Sequence, residues 1–258
     1  MTSIGFTQSL SYIGVGWRLL RTPGLRRFVW MPLLINLAVF GALGWWLNAW
    51  ASEWLGSLSL FTSLADWWIV RALETVLRWL MTIVLLFSLA FLFTLLANLV
   101  GAPFNGLLAE RVEAHLTGSS TDAAPSWLTL VRSVPRLLGS EMAKLIYLVI
   151  CLVPLLILQF IPGINLLAPA LLFLFGAWMF ALEYMDYPMG NHGALFRDVR
   201  KTLRTRRRIA YGFGSGVAVL STVPVINLFI MPVAVAGATA LYVDHLRDEH
   251  LDSLSHRA

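Results

Sequence analysis

From residue 28 to residue 52 the chain carries no charged side chain, and the later runs 79–109, 145–182 and 209–243 are uncharged over still longer stretches. Runs of this length constrain the fold more than any other feature of the sequence. At 1.5 Å per residue, about 20 helical residues cross a hydrocarbon core of about 30 Å, and only a backbone that satisfies its own polar groups survives there. Charged residues make up 13% of the 258 and hydrophobic ones 58%, against roughly 25% and 45–50% in soluble domains. The pattern is that of an all-α integral membrane protein.

Turn residues divide the chain. Residues 3–21 place Phe6, Leu10, Ile13, Trp17 and Leu20 at helical spacing, which reads as an amphipathic helix at the membrane interface. Residues 1–27 form that segment and the turn ending it, and 28–50 the first long membrane helix. A second long helix is expected over 63–118, opened by a capping-box-like Ser63–Asp66 pair, closed at Gly118 and kinked near Gly101 and Pro103. Residues 137–182, interrupted at Pro154, Pro162–Gly163 and Pro169, contain an apolar run too long for one span and short for two. Residues 209–243, interrupted at Pro224 and Pro232, behave likewise. Both read as partly penetrating helical hairpins, with 244–258 as a polar tail. The hairpins also resemble each other: Pro162-Gly-Ile-Asn165-Leu166 matches Pro224-Val-Ile-Asn227-Leu228, and Tyr184-Met-Asp186 matches Tyr242-Val-Asp244. Such repeats of broken apolar segments point towards a transport pathway.

Charge bias supports the hairpin topology. Of the 19 Lys and Arg residues, four precede residue 28, two lie in 51–78, four in 110–144, seven in 183–208 and two follow residue 243. If both later runs return to the side they left, all but the two in 51–78 share one side, as the positive-inside tendency demands. Both termini are then expected to be cytoplasmic. The net charge of +5 therefore finds its counter-charge in anionic lipid, and no nucleic-acid motif is present. Met1 to Leu25 lacks the order of a cleavable signal peptide. The single cysteine, Cys151, forms no intramolecular disulfide and supplies no thiolate cluster.

Several constellations can carry chemistry. Pro23-Gly24-Leu25-Arg26-Arg27 puts a tight turn and two fixed cations at the start of a membrane helix, which suits an anion site and equally suits a topology anchor for headgroups. Arg197, Arg200, Lys201, Arg204, Arg207 and Arg208 recur opposite Phe196, Val199 and Leu203, a basic amphipathic helix for the headgroup layer. Glu110 and Glu113 share a helix face at i,i+3 while Arg111 points elsewhere, so these acids can meet basic partners from other segments. Asn36, Asn98, Asn105, Asn165 and Asn227 sit within or beside apolar runs, where amides either line a path or join helices. The histidines 115, 192, 245, 250 and 256 show no ligand arrangement, and no zinc-protease, Walker, dinucleotide or nucleophile-elbow motif occurs. No cofactor is expected.

The stretch Pro23-Gly-Leu-Arg-Arg-Phe-Val-Trp-Met-Pro-Leu-Leu-Ile-Asn36, with Pro103-Phe-Asn-Gly-Leu-Leu-Ala-Glu-Arg-Val-Glu113, resembles the CysZ-type sulfate permease family of bacterial inner membranes, nearly end to end. The resemblance implies sulfate uptake for cysteine synthesis without a nucleotide-hydrolysing partner, by an oligomer of chains with two long membrane helices and two helical hairpins. It also implies sulfate binding at Gly24, Leu25, Arg26 and Arg27 and a polar core at Glu110, Arg111 and Glu113. Sulfate at neutral pH accepts hydrogen bonds and donates none, so a site built of donors alone satisfies it. Two rivals stand beside this reading. One is a non-transporting membrane scaffold whose arginines hold phospholipid headgroups; the other is a lipid-modifying membrane enzyme, for which no nucleophile or metal constellation is seen.

Overall fold

The computed structural model describes residues 4–57, 68–119 and 127–255. Nine α-helices run through them: α1 (Phe6–Leu19), α2 (Arg27–Ser57), α3 (Trp68–Thr117), α4 (Trp127–Leu158), α5 (Ala168–Asn191), α6 (Phe196–Thr205), α7 (Arg207–Ser221), α8 (Pro224–His245) and α9 (Arg247–Ser255). No strand occurs among the described residues, and the protein is an all-α membrane protein. Segments of four helices are long and apolar enough to cross a bilayer: Arg27–Trp46, Arg71–Leu89, Gly139–Leu158 and Ala168–Asn191. The Ser63–Asp66 pair lies outside the described residues. Thr117 closes α3 where Gly118 takes φ of 68°, a left-handed conformation that ends a helix cheaply only at glycine.

Two compact units divide the chain. Residues 30–104 form one of them. Its described side chains on the candidate spans are not buried, and Trp45, Trp68 and Phe87 are each more than three-quarters exposed. Apolar surface of that kind is costly in water and natural in lipid, where association rests on packing rather than on expulsion of water.

The second unit, residues 1–29 and 105–258, holds the core. Here α1, α5, α7 and α8 pack on one another around Leu182, Met185, Phe213, Leu241 and Tyr242, all fully buried. The approach is close because glycines stand at the crossings. A Cβ on Gly214 would collide with the Ala177 carbonyl, and one on Gly16 with the Val233 carbonyl. Small residues at such crossings let dispersion contacts form along whole helices. Phe6 and Ser9 meet Gly212, Tyr12 meets Gly237, and Trp17 lies against Phe229. The helix α1 therefore runs parallel to α7 and antiparallel to α8.

The face of α1 that packs on protein is Ser9, Tyr12, Ile13, Gly16 and Leu19. Phe6, Leu10 and Trp17, part of the stripe expected from spacing, remain 39–46% exposed. The physical reason is the small residues: Ser9 and Gly16 admit a neighbouring backbone, and bulky side chains do not.

Prolines end fewer helices than their number suggests. Pro154 lies inside α4 and Pro232 inside α8. The turns fall at Pro162–Gly163, where Gly163 has φ of 86°, and just before Pro224, which opens α8. Proline at a first helical position removes no hydrogen bond that would otherwise form. Nor do charges end α4 and α5. Lys144, seven per cent exposed, donates to Glu141, Glu183 and Asp186 at 3.0–3.1 Å, so that α4 and α5 continue through their charged residues with one ammonium shared among three acids. The aspartates of both copies of the Tyr–Asp element are thus given partners: Asp186 accepts from Lys144, and Asp244 accepts from the Tyr12 hydroxyl at 2.7 Å.

Candidate functional site

The segment leaving α1 is held by local bonds. Arg21 and Thr22 donate their N–H groups back to Arg18 and Leu19 at 3.1 and 3.0 Å, and the Leu25 N–H closes a turn on the Thr22 carbonyl at 3.3 Å. Pro23 and Gly24 occupy the centre of that turn, with Gly24 at φ of 94°, the arrangement of a type II turn. Leu25, five per cent exposed, is pressed into the core and fixes the turn to it. Phe28 and Val29 then bond to the carbonyls of Leu25 and Arg26 at 3.1 and 3.0 Å, opening α2.

This bonding leaves the backbone N–H groups of Gly24, Arg26 and Arg27 without a backbone acceptor among the described residues. Both arginine side chains are exposed. Arg26 Nε donates to the Arg21 carbonyl at 2.9 Å, leaving its two terminal nitrogens without an acceptor among the described residues, and the Arg27 guanidinium sits 5.0 Å from the Phe28 ring centre. No carboxylate of a described residue pairs with Arg18, Arg21, Arg26 or Arg27. The turn is therefore a cluster of donors and positive charge at a helix start, where the macrodipole also favours an anion.

Glu113 shows the opposite arrangement. One turn beyond the fully buried Ala109, it is seven per cent exposed. Its Oε1 accepts from Arg247 Nε at 2.9 Å, and both its oxygens lie 2.9 Å from His192 Nε2. Burial pushes the Glu113 carboxyl up, but the bonds and charges of His192 and Arg247 outweigh it and hold the group below the usual carboxylate range. The His192 ring lies 5.8 Å from Tyr242, whose hydroxyl bonds to His250 Nδ1 at 2.9 Å.

The remaining candidates are dispersed. Glu110 is half-buried and Arg111 exposed, and no side-chain bond or ion pair joins either to another described residue. Asn105 is buried and reaches the Tyr187 hydroxyl at 3.4 Å. Asn165 sits exposed in the turn between α4 and α5, and Asn227 exposed in the first turn of α8. The side chains of Asn36 and Asn98 lie outside the described residues. Sequence spacing did not single out Lys144, His192, Arg247 or Tyr12. Their pairings are long-range, and only the Tyr–Asp repeat carried a trace of them. Among the described residues no group of three His, Cys, Asp or Glu side chains could hold a metal ion.

An all-α membrane protein with an anion-suited turn at the start of its first long helix is thus in view. Over residues 12–232 the chain matches the family model described as sulfate transporter CysZ/Etoposide-induced protein 2.4, and it belongs to that family. A relative from Vibrio cholerae serotype O1, named sulfate transporter CysZ, is 42% identical over 252 residues, which cover 96% of this chain and 97% of the relative. A second, from Salmonella typhimurium and of the same name, is 43% identical over 240 residues, 93% of each chain.

Proposed function

We propose that this protein carries sulfate across the bacterial inner membrane, supplying cysteine synthesis, and that the Gly24-Leu25-Arg26-Arg27 turn binds the anion. The reading is supported by near-full-length similarity to relatives named sulfate transporters. The observation that carries the site is the cluster of unclaimed donors: three backbone N–H groups and two arginines with no acid beside them. A fully deprotonated dianion needs donors only, and arginine supplies them in a rigid fork. Glu113, with Arg247 and His192, forms a polar core of the same unit, and Asn105 lies on the same part of α3; Glu110, Arg111, Asn36, Asn98, Asn165 and Asn227 are the further candidates for the permeation route. The protein acts as a transporter rather than as an enzyme, within a homo-oligomer embedded in anionic lipid, and with both termini cytoplasmic. No observation favours the scaffold alternative.

Labelled-sulfate uptake into proteoliposomes tests this directly. An Arg26→Ala, Arg27→Ala double variant is expected to lose sulfate binding and most of the flux. Unchanged binding and flux would remove the turn from the mechanism, and absence of flux in the unaltered protein would remove the transporter.

A further inference from the structure

Beside α1 the helices leave a groove of about 820 Å³. Phe6, Leu10 and Trp17 of α1, Phe173 of α5, Val219 of α7 and Ile230 of α8 line it. Its lining offers almost nothing to a polar ligand. The one hydroxyl there, on Ser215, donates to the Gly212 carbonyl at 3.2 Å. The groove is open rather than a packing defect: Phe6, Leu10 and Trp17 are 39–46% exposed, and a Cβ added to Gly14 would meet no atom within 4 Å. From Phe6 to Trp17 it follows α1 for about 16 Å at the helical rise of 1.5 Å per residue.

One end of the groove is charged. Arg18 follows Gly14 by one helical turn and so flanks the groove on α1, and Arg21 stands in the turn just beyond the helix end, its N–H bonded to the Arg18 carbonyl at 3.1 Å. Both arginines are exposed, and no described carboxylate pairs with either. Trp17, apolar in body and polar at its indole N–H, stands where the apolar lining meets the two cations.

We propose that this groove is a phospholipid site, holding one acyl chain along α1 and an anionic headgroup on Arg18 and Arg21. The polarity of the cleft changes once, from apolar to cationic, at the point where a lipid changes from chain to phosphate. A second copy of the chain is the poorer occupant, because a two-fold axis along α1 brings a second pair of arginines up to the first, and one across α1 sets those arginines over the apolar end of the partner's groove with no acid to meet them. The lipid site adjoins the sulfate turn, where the Arg21 carbonyl accepts from Arg26 Nε, but its chain-binding part lies on α1 and its cations are Arg18 and Arg21, whereas the sulfate is assigned to Arg26 and Arg27.

The full-length protein, reconstituted in an equal mixture of phosphatidylglycerol and phosphatidylethanolamine and released into mild detergent, is examined by native mass spectrometry. The unaltered protein is expected to retain phosphatidylglycerol, since two surface arginines favour an anionic headgroup over a neutral one by roughly thirtyfold. Gly14→Phe fills the groove and is expected to abolish retention while sulfate binding at Arg26 and Arg27 persists. Val219→Trp fills the same space from α7, should Gly14→Phe fail to fold. Arg18→Gln, Arg21→Gln is expected to remove the preference for phosphatidylglycerol while leaving the groove able to hold a chain. Retention of no lipid by the unaltered protein, equal retention by the filled variants, or a Leu10→Cys disulfide between two copies in a Cys151→Ser background would each overturn the assignment. The readout is lipid mass, so an absence of sulfate transport would leave its outcome intact.

Discussion

The turn at residues 21–27 and the network around Glu113 belong to the same compact unit, yet they treat arginine in opposite ways. At the turn, backbone bonds run to local carbonyls and stop short of Gly24, Arg26 and Arg27, while no acid approaches either side chain. In the network, Arg247 Nε and His192 Nε2 both converge on one buried carboxylate at 2.9 Å. A charge that is already satisfied has little to offer a passing anion. A charge held rigidly by Leu25 and a Pro-Gly turn, but left unsatisfied, has its full interaction available.

The difference can be broken at either end. The largest effect is expected from Arg27→Glu, which removes a charge-assisted bond and sets a negative charge against a dianion. Sulfate affinity, measured by equilibrium dialysis, should fall on the order of a thousandfold with unchanged thermal stability. Glu113→Ala should do the reverse. Leaving Arg247 without its carboxylate partner is expected to cost about 1–3 kcal/mol of stability, read as a lower melting temperature, with sulfate affinity at the turn changed by less than about threefold.

Acid sharpens the same contrast. The Glu113 carboxyl is held below its ordinary range, so its contribution to stability is complete above the unfolded-state value and is lost as pH falls through the lower folded-state value. Melting temperature should therefore decline on acidification, and Glu113→Gln should flatten that part of the profile. Gly24→Ala is the mildest change. A Cβ there meets no atom within 4 Å, so only the backbone strain at φ of 94° is added, about 1 kcal/mol. A loss of roughly fivefold in sulfate affinity is expected, provided the turn's shape rather than its charge alone sets the N–H directions.

Much of this was legible in the sequence, where the deciding interactions are local. The uncharged runs before residue 183 overlap the four segments long and apolar enough to cross a bilayer, while the run 209–243 yields none among the described residues, and Pro23-Gly24 announces the turn because few residue pairs fit a positive φ after a fixed one. The spacing of Phe196, Val199 and Leu203 marked one apolar face as expected, but that face is buried in the protein core rather than turned to the headgroup layer. What was not legible depends on distant partners. Glu113 and Arg247 are separated by 134 residues, and His192 reaches the same carboxylate from a third element. The charges of Lys144, Glu183 and Asp186 look like helix boundaries until α4 and α5 are side by side. The rotation of α1 was also hidden. Its bulkiest apolar residues predict one face, but Gly16 and the glycines of α7 and α8 admit a closer contact on another. In lipid, that closeness outweighs apolar area as a guide to which face packs.

The separation of available from satisfied arginine is tested most directly by sulfate titration of two variants side by side, Arg26→Ala with Arg27→Ala in one and Arg247→Ala in the other. The first is expected to lose binding while keeping its melting temperature, and the second to keep binding while losing stability. Sulfate binding that survives in the first and disappears in the second would contradict the assignment of the site.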